Sequence, residues 1–213
     1  MNDSSITAAL LPTTGSTSMI FGGSRTLLLL LLFATAAVAA EPAGWDITRL
    51  MQDLAQVKIA KGRFVERKYL GILTAALESS GTLIYIAPSR LEKHTLTPRD
   101  ESLVLEGDRL TIESQQTKRR RTLVLQDYPV IWMFVESIRS TLAGDLALLQ
   151  RFYEITLEGE ERKWRLVLKP IDPKMQELIS EIRIGGSRSR IDSIEFFESG
   201  GDRSVMTITR DVP

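Results

Sequence analysis

The sequence predicts a mainly β protein with helices, folded as an open, incomplete antiparallel β-barrel that is covered by a helical lid. Three observations lead to this class. Apolar and polar residues alternate with a period of two through most of the chain after residue 62, as in strands with one buried face. Short connections rich in glycine, proline and serine join these segments, which favours antiparallel hairpins. Two longer stretches have helical spacing, so most neighbouring strands lack the crossover helices of a parallel sheet.

The first forty residues have the features of a secretory signal peptide. Arg25 supplies a positive charge, residues 27–33 form a short apolar core, and small residues follow up to Ala40. The apolar core is shorter than the roughly 20 residues that cross a bilayer. We therefore predict cleavage after Ala40, a periplasmic location, and a domain at 41–213 that does not span a membrane when mature. The alternative is a buried N-terminal helix, but this segment has no polar face to turn toward water.

The segment 45–61 predicts an amphipathic helix that Gly62 ends. Its apolar residues recur at helical spacing with charged residues between them, so one stripe must lie on an apolar surface. The stripe consists of Ile47, Leu50, Met51, Leu54 and Val57.

The remaining chain has twelve alternating segments, which predict about ten strands in meander order. The alternating segments cover 63–69, 73–78, 82–87, 90–97, 102–106, 109–114, 118–126, 152–158, 163–169, 178–184, 190–198 and 204–210. Between the two groups, 130–142 has the spacing of a second amphipathic helix, and a short helical stretch runs on through Leu149. Its apolar face carries Ile131, Phe134, Val135, Ile138 and Leu142. Tight connections predict one strongly curved sheet, with both helix stripes covering its inner face.

Composition argues against most kinds of chemistry. The chain has no cysteine and a single histidine, His94, so the usual metal sites and the usual nucleophile and acid–base groups are nearly unavailable. We therefore expect no metal, no cofactor and no catalytic residue. The 27 basic residues balance the 27 acidic ones, which leaves no overall field to attract nucleic acid.

Three charged features have ordinary structural interpretations. His94 lies beside Glu92 and Lys93 on a predicted strand, as a surface histidine would. The basic run 118–121 opens a strand without interleaved aromatic residues, which is typical of a solvated sheet edge. The acidic run 158–161 is best explained as a hairpin tip.

One face of the predicted sheet is apolar along nearly its whole length. Alternation shows which face is inside, but it leaves open whether that interior is filled or empty. If it is empty, the candidate residues for a lipid-binding cavity are Leu50, Leu54, Phe64, Leu83, Tyr85, Leu91, Leu110, Ile112, Trp132, Phe134, Trp164, Leu166, Leu168, Ile184, Phe196 and Met206.

The hairpin sequence GTLIYIAPSRL at 81–91, followed by His94, Thr97-Pro98 and the run 100–102, resembles the central hairpin of the LolA family, the periplasmic carriers of outer-membrane lipoproteins. This resemblance implies a LolA-like fold: an unclosed barrel with a helical lid and an acyl-chain cavity. It also implies a monomeric carrier that is not an enzyme and that moves lipoproteins or a related lipid towards the outer membrane. Its partners would be that cargo, an inner-membrane donor and an outer-membrane acceptor.

Other classes of function fit less well. A periplasmic module that senses lipids or lipoproteins is the alternative, because periplasmic stress regulators share this fold. An integral outer-membrane barrel conflicts with charged residues on the outer face of nearly every strand. A lipid hydrolase would need a serine or carboxylate site that the sequence does not reveal.

The sequence departs from the main LolA carriers at Ala87. Those carriers have an arginine just before the proline of this hairpin, where it holds the lid by hydrogen bonds. Arg90 is close by but lies beyond the proline. We therefore expect lid closure to rest on apolar contacts, with Leu54 and Trp132 among them.

Overall fold

The computed structural model describes residues 44–210, so the predicted signal peptide lies outside the described residues. Eleven strands are present in this range: β1 (Ile59–Tyr69), β2 (Leu77–Ile86), β3 (Arg90–Thr97), β4 (Glu101–Glu106), β5 (Arg109–Ser114), β6 (Arg119–Val124), β7 (Tyr153–Glu160), β8 (Lys163–Pro170), β9 (Ile179–Ser187), β10 (Arg190–Glu198) and β11 (Arg203–Thr209). The helices are α1 (Ile47–Ala55), α2 (Pro129–Ala143), α3 (Leu146–Phe152) and the short α4 (Pro173–Gln176).

The strands form a single antiparallel sheet in the order β6-β5-β4-β3-β2-β1-β11-β10-β9-β8-β7. Apart from β6 and β7, strands that are consecutive in sequence pair with each other, and β1 also pairs with β11. The two edge strands, β6 and β7, do not pair, and the chain passes between them through α2 and α3. The predicted fold class, an open antiparallel barrel with helices, is therefore confirmed.

Local signals in the sequence explain where the helices begin and end. The Asp46 side chain accepts a hydrogen bond from the backbone N–H of Arg49 at 2.8 Å and caps α1. Pro129 begins α2, where its missing N–H leaves no hydrogen bond unmade. Gly144 ends α2 with a left-handed φ of 70°, and Asp145 caps α3.

Two predicted boundaries are wrong. The first helix ends at Ala55 rather than near residue 61, because residues from Ile59 onward already pair with β2. Segments 73–78 and 82–87 were expected to flank a turn, but β2 runs without a break from Leu77 to Ile86 and contains the end of the first segment and most of the second. Gly81 does not turn the chain. It sits at a bulge where an added Cβ would lie 1.8 Å from the His94 carbonyl oxygen, so a close backbone approach requires glycine.

One half of the sheet carries a filled core. Helices α1, α2 and α3 pack on strands β7 to β10, and the cluster contains Leu50, Met51, Leu54, Met133, Leu149, Tyr153, Trp164, Leu166, Leu168, Ile179, Ile182 and Ile184, each at most 4% exposed. The Tyr153 hydroxyl donates a hydrogen bond to the Met133 carbonyl oxygen at 2.7 Å, which joins β7 to α2. Burial raises the pKa of this hydroxyl, so it stays a donor.

Candidate functional site: an apolar cavity beneath helix α2

The other half of the sheet encloses a cavity of about 350 Å³. It lies between α2 and the inner faces of strands β1 to β5, β10 and β11, and its volume falls within the range of about 300–1,000 Å³ usual for ligand pockets. The apolar residues that line it are Val57, Ala60, Leu83, Ile84, Tyr85, Leu91, Leu103, Leu105, Leu110, Ile131, Phe134, Val135, Ile138, Leu142, Ile191, Ile194, Met206 and Ile208. This lining suits a hydrocarbon chain.

Helix α2 separates the cavity from the filled core. Its Met133 is buried in the core cluster, whereas Ile131, Val135 and Ile138 line the cavity. Ser137 and Thr141 are fully buried, and their hydroxyls donate to backbone carbonyl oxygens of the same helix. Those bonds satisfy polar groups that would otherwise be costly to bury. The helix therefore packs one side against the core and exposes an apolar side to the cavity.

A polar contact also joins α2 to the turn between β4 and β5. Arg139 donates to the carbonyl oxygen of Gly107, in the β4–β5 turn, at 2.9 Å. The same guanidinium pairs with Glu136, which is 3% exposed and accepts a further hydrogen bond from Ser140 at 2.9 Å. Helix α2 is thus held by charge and by apolar packing together, a contact that the sequence did not indicate.

The structure brings together only some of the sixteen candidate residues. Six line the cavity: Leu83, Tyr85, Leu91, Leu110, Phe134 and Met206. Six others belong to the filled core, namely Leu50, Leu54, Trp164, Leu166, Leu168 and Ile184, and Trp132 and Phe196 pack against it. Phe64 is buried in a smaller cluster with Ile194 and Met206, and Ile112 is half-buried on β5 without lining the cavity. The eight residues in or against the filled core lie outside the cavity because α1, α2 and α3 pack on the β7–β10 half.

Several lining residues were absent from the candidate list. Ile131, Val135, Ile138 and Leu142 form the apolar stripe of α2 and face the cavity. Their helical spacing was the signal that would have found them, since a stripe over an open barrel must face either a core or a cavity.

An ion pair lies among the apolar residues of the cavity. The Lys93 ammonium is 2.5 Å from a carboxylate oxygen of Glu66, whose other oxygen accepts from the Ser204 hydroxyl at 2.6 Å. Burial disfavours the charged form of Glu66, but the Lys93 charge and these hydrogen bonds outweigh it and lower the pKa of this carboxyl. The ammonium also lies 4.8 Å from the centre of the Phe64 ring. The Glu66 carboxyl is therefore ionised at neutral pH.

His94, Arg90 and the two charged runs singled out in the sequence are not among the residues that line the cavity. His94 Nε2 is 3.2 Å from Glu92, and Arg90 pairs with Glu92 of its own strand β3 and with Glu106 of the neighbouring β4, rather than with the helices. The basic run belongs to β6, an edge of the sheet, and the acidic run forms the end of β7 and its turn. Among residues 44–210, no three acidic or histidine side chains come close enough to hold a metal ion.

The fold and the cavity define a half-open β-barrel with a helical cover. The chain belongs to the LolA-like family of outer membrane lipoprotein carrier proteins, whose family model matches residues 39–209. The family inferred from the 81–91 hairpin is therefore confirmed.

Two relatives and one complex illustrate the similarity. An outer-membrane lipoprotein carrier protein of Pseudomonas entomophila (strain L48) is 22% identical over 175 residues, which is 80% of this chain and 79% of the relative. A LolA superfamily protein from Nitrosomonas europaea is 11% identical with a TM-score of 0.41, covering 77% of this chain and 93% of its own. A chain of the Pseudomonas aeruginosa MucA/MucB complex is 15% identical with a TM-score of 0.45, covering 78% of this chain and 56% of that one.

Within the described range, each helix is too short or too polar to cross a membrane.

Proposed function

We propose that this protein is a carrier that binds the acyl chains of a lipoprotein or a related lipid in the cavity beneath α2. The observation that carries the proposal is the cavity itself, which is walled by apolar side chains on both the sheet and the helix. No covalent step is needed for such a role, so the protein is proposed to act without catalysis.

Removal of hydrocarbon from water supplies the binding energy. A chain of about fourteen carbons, at about 0.8 kcal/mol per buried CH₂, gains roughly 10 kcal/mol before the costs of immobilising the lipid and opening the cover. The Arg139 contact with Gly107 and the apolar stripe of α2 would have to loosen for entry. In a reversible carrier the gain from burying the chain must be partly offset by the cost of opening the cover, because the cargo must also leave.

The setting proposed for this carrier is the periplasm. The segment before residue 41 would direct export of the protein. The cargo would then pass from a donor at the inner membrane to an acceptor at the outer membrane. The family match and the 22% identical carrier relative support this route.

An apolar fluorophore tests the proposal. We expect one molecule of a neutral naphthalene dye to bind per chain, with increased emission, and to be displaced by fatty acids or by an acylated lipoprotein. Fluorescence titration measures both steps. The absence of saturable binding would mean that no ligand enters the cavity, and the proposal would then be wrong.

Amino-terminal sequencing tests the export step. Protein recovered from the periplasm of its own cells is expected to begin at Glu41, because small residues at the end of the signal precede that position. Recovery of the full-length chain from the cytoplasm would contradict the proposed location.

A further inference from the structure

Lys93 is a charged group placed among apolar cavity residues. Its side chain is 24% exposed, and among residues 44–210 its hydrogen-bond partner is Glu66. An ammonium has three N–H donors, so Lys93 can bind a second acceptor without losing Glu66. The pairing with Glu66 offsets the cost of placing this charge in an apolar lining.

Arg210 lies on the same face of the sheet, in the same row as Lys93. Lys93 pairs with Leu83, and Leu83 pairs with Gly62. Because Arg63 pairs with Thr209, the next position along the ladder sets Arg210 beside Gly62. Arg210 lines the cavity as the alternate residues Met206 and Ile208 do, so it faces inward.

Gly62 leaves a gap between the two cations. A Cβ at Gly62 would lie 3.0 Å from the Thr209 carbonyl oxygen and 3.1 Å from a methyl carbon of Ile208, so the closeness of β11 favours glycine here. The backbones that carry Lys93 and Arg210 are three strand spacings apart, roughly 14 Å along the sheet. Lys93 starts in the row of Gly62 and reaches toward Glu66, four positions further along β1, so the inner face of β1 lies between its ammonium and Arg210.

The charge of the lining differs from that of the chain. Four cationic residues line the cavity, Lys61, Lys93, Arg190 and Arg210, against the two carboxylates of Glu66 and Glu92. Arg190 is also paired with Asp192, which reduces the positive excess without removing it. The whole chain is balanced at 27 against 27. A cleft with apolar walls and an excess of charges of one sign attracts ligands of the opposite sign.

We propose that the cavity selects amphiphiles with an acidic head group, a carboxylate or a phosphate, which lies over the inner face of β1 between Lys93 and Arg210 while the hydrocarbon chain lies against α2. This inference rests on the proposed function, because it concerns the head group of a ligand whose chain occupies the same cavity. A cationic head group would have to lie beside two like charges, and an alcohol would gain no charge-assisted hydrogen bond.

Ligands with one common chain test the head-group preference. Dodecanoate, dodecyl phosphate, 1-dodecanol and dodecylamine would each displace the neutral dye from the full chain at pH 8. A hydrogen bond to a charged group favours binding by about 10- to 100-fold. We expect dodecanoate or dodecyl phosphate to bind at least about tenfold more tightly than dodecanol on this basis, with dodecylamine weakest and butyrate ineffective.

Substitutions test the two residues. Arg210→Met and the double variant Lys93→Met/Glu66→Gln should bring the acid-to-alcohol ratio close to one. The double variant removes both partners, so no unpaired carboxylate is left to unfold the protein. Lys169→Met, at an exposed position on the outer face of β8, is the matched control and should keep the ratio.

Each outcome separates this inference from the proposed function. If every amphiphile displaces the dye equally well, the head-group inference is wrong and the carrier proposal stands. If the acid preference persists in both variants, Lys93 and Arg210 are not the head-group site. If no amphiphile displaces the dye, the proposed function fails as well.

Discussion

Replacing Leu166 by glutamate is expected to unfold the protein. Leu166 is fully buried in the core beneath α1, α2 and α3. An unpaired carboxylate there costs several kcal/mol, and the substitution also removes apolar contacts. A domain with a stability of about 5–15 kcal/mol does not withstand much more. Circular dichroism and a thermal melt would show the loss of structure.

Acid should partly restore the Leu166→Glu variant. Burial raises the pKa of a carboxyl in the folded state above its unfolded value of about 4.3, because the neutral form suits the core better. Stability is therefore retained below about pH 4.3 and falls as the pH rises through the folded-state pKa. A melt series across pH should show this direction in the variant relative to the unchanged chain.

Ile138→Glu is the matched control for this prediction. Ile138 is half-buried on α2 and lines the cavity, so a carboxylate there can keep contact with water. We expect this variant to stay folded and to lose dye binding. Equal unfolding of the two variants would mean that the cavity is as dry and tightly packed as the core. A folded Leu166→Glu protein would contradict the filled core.

Replacing Gly144 by alanine is expected to have the second-largest effect on stability. Gly144 has a φ of 70°, and an added Cβ would lie 2.2 Å from the Met51 carbonyl oxygen and 2.8 Å from the Ala55 Cβ. The left-handed backbone costs an alanine about 1–2 kcal/mol. Moving α2 away from α1 adds about 1–3 kcal/mol as overpacking. Urea unfolding should therefore show a loss of about 2–5 kcal/mol in the free energy of unfolding.

Gly107→Ala separates the two costs. Gly107 also has a positive φ, 56°, but nothing lies within 4 Å of its added Cβ. Its loss should be limited to the backbone cost of about 1–2 kcal/mol. Equal losses in the two variants would mean that the α1–α2 contact yields without cost, and the account of tight packing at Gly144 would be wrong.

Most strands could be predicted from residue patterns because a strand places alternate side chains on opposite faces. The segment 190–198 matches β10 at both ends. The wrong boundaries lie at glycines that are required by a close contact in the folded protein and not by a local turn or helix end. Gly81 and Gly62 look like a turn and a helix end in the sequence, yet both lie within strands where another backbone or side chain comes close.

The candidate site residues show the same limit of prediction from sequence. Leu83, Leu91 and Met206 could be assigned to an inner face from their alternation, and they do line the cavity. Leu166 and Leu168 alternate in the same way and lie in a filled core. Nothing local distinguishes the two groups, because the difference is made by helices that come from elsewhere in the chain.

The sequence by itself determined the strand pattern, the inner face of the sheet and the family. The tertiary structure alone decided that three helices pack on the β7–β10 half and that one side of α2 faces open space over the other half. It also paired Lys93 with Glu66, 27 positions apart in the chain. Side-chain periodicity reports direction from the backbone, whereas filling and pairing depend on what the folded chain brings to meet each side chain.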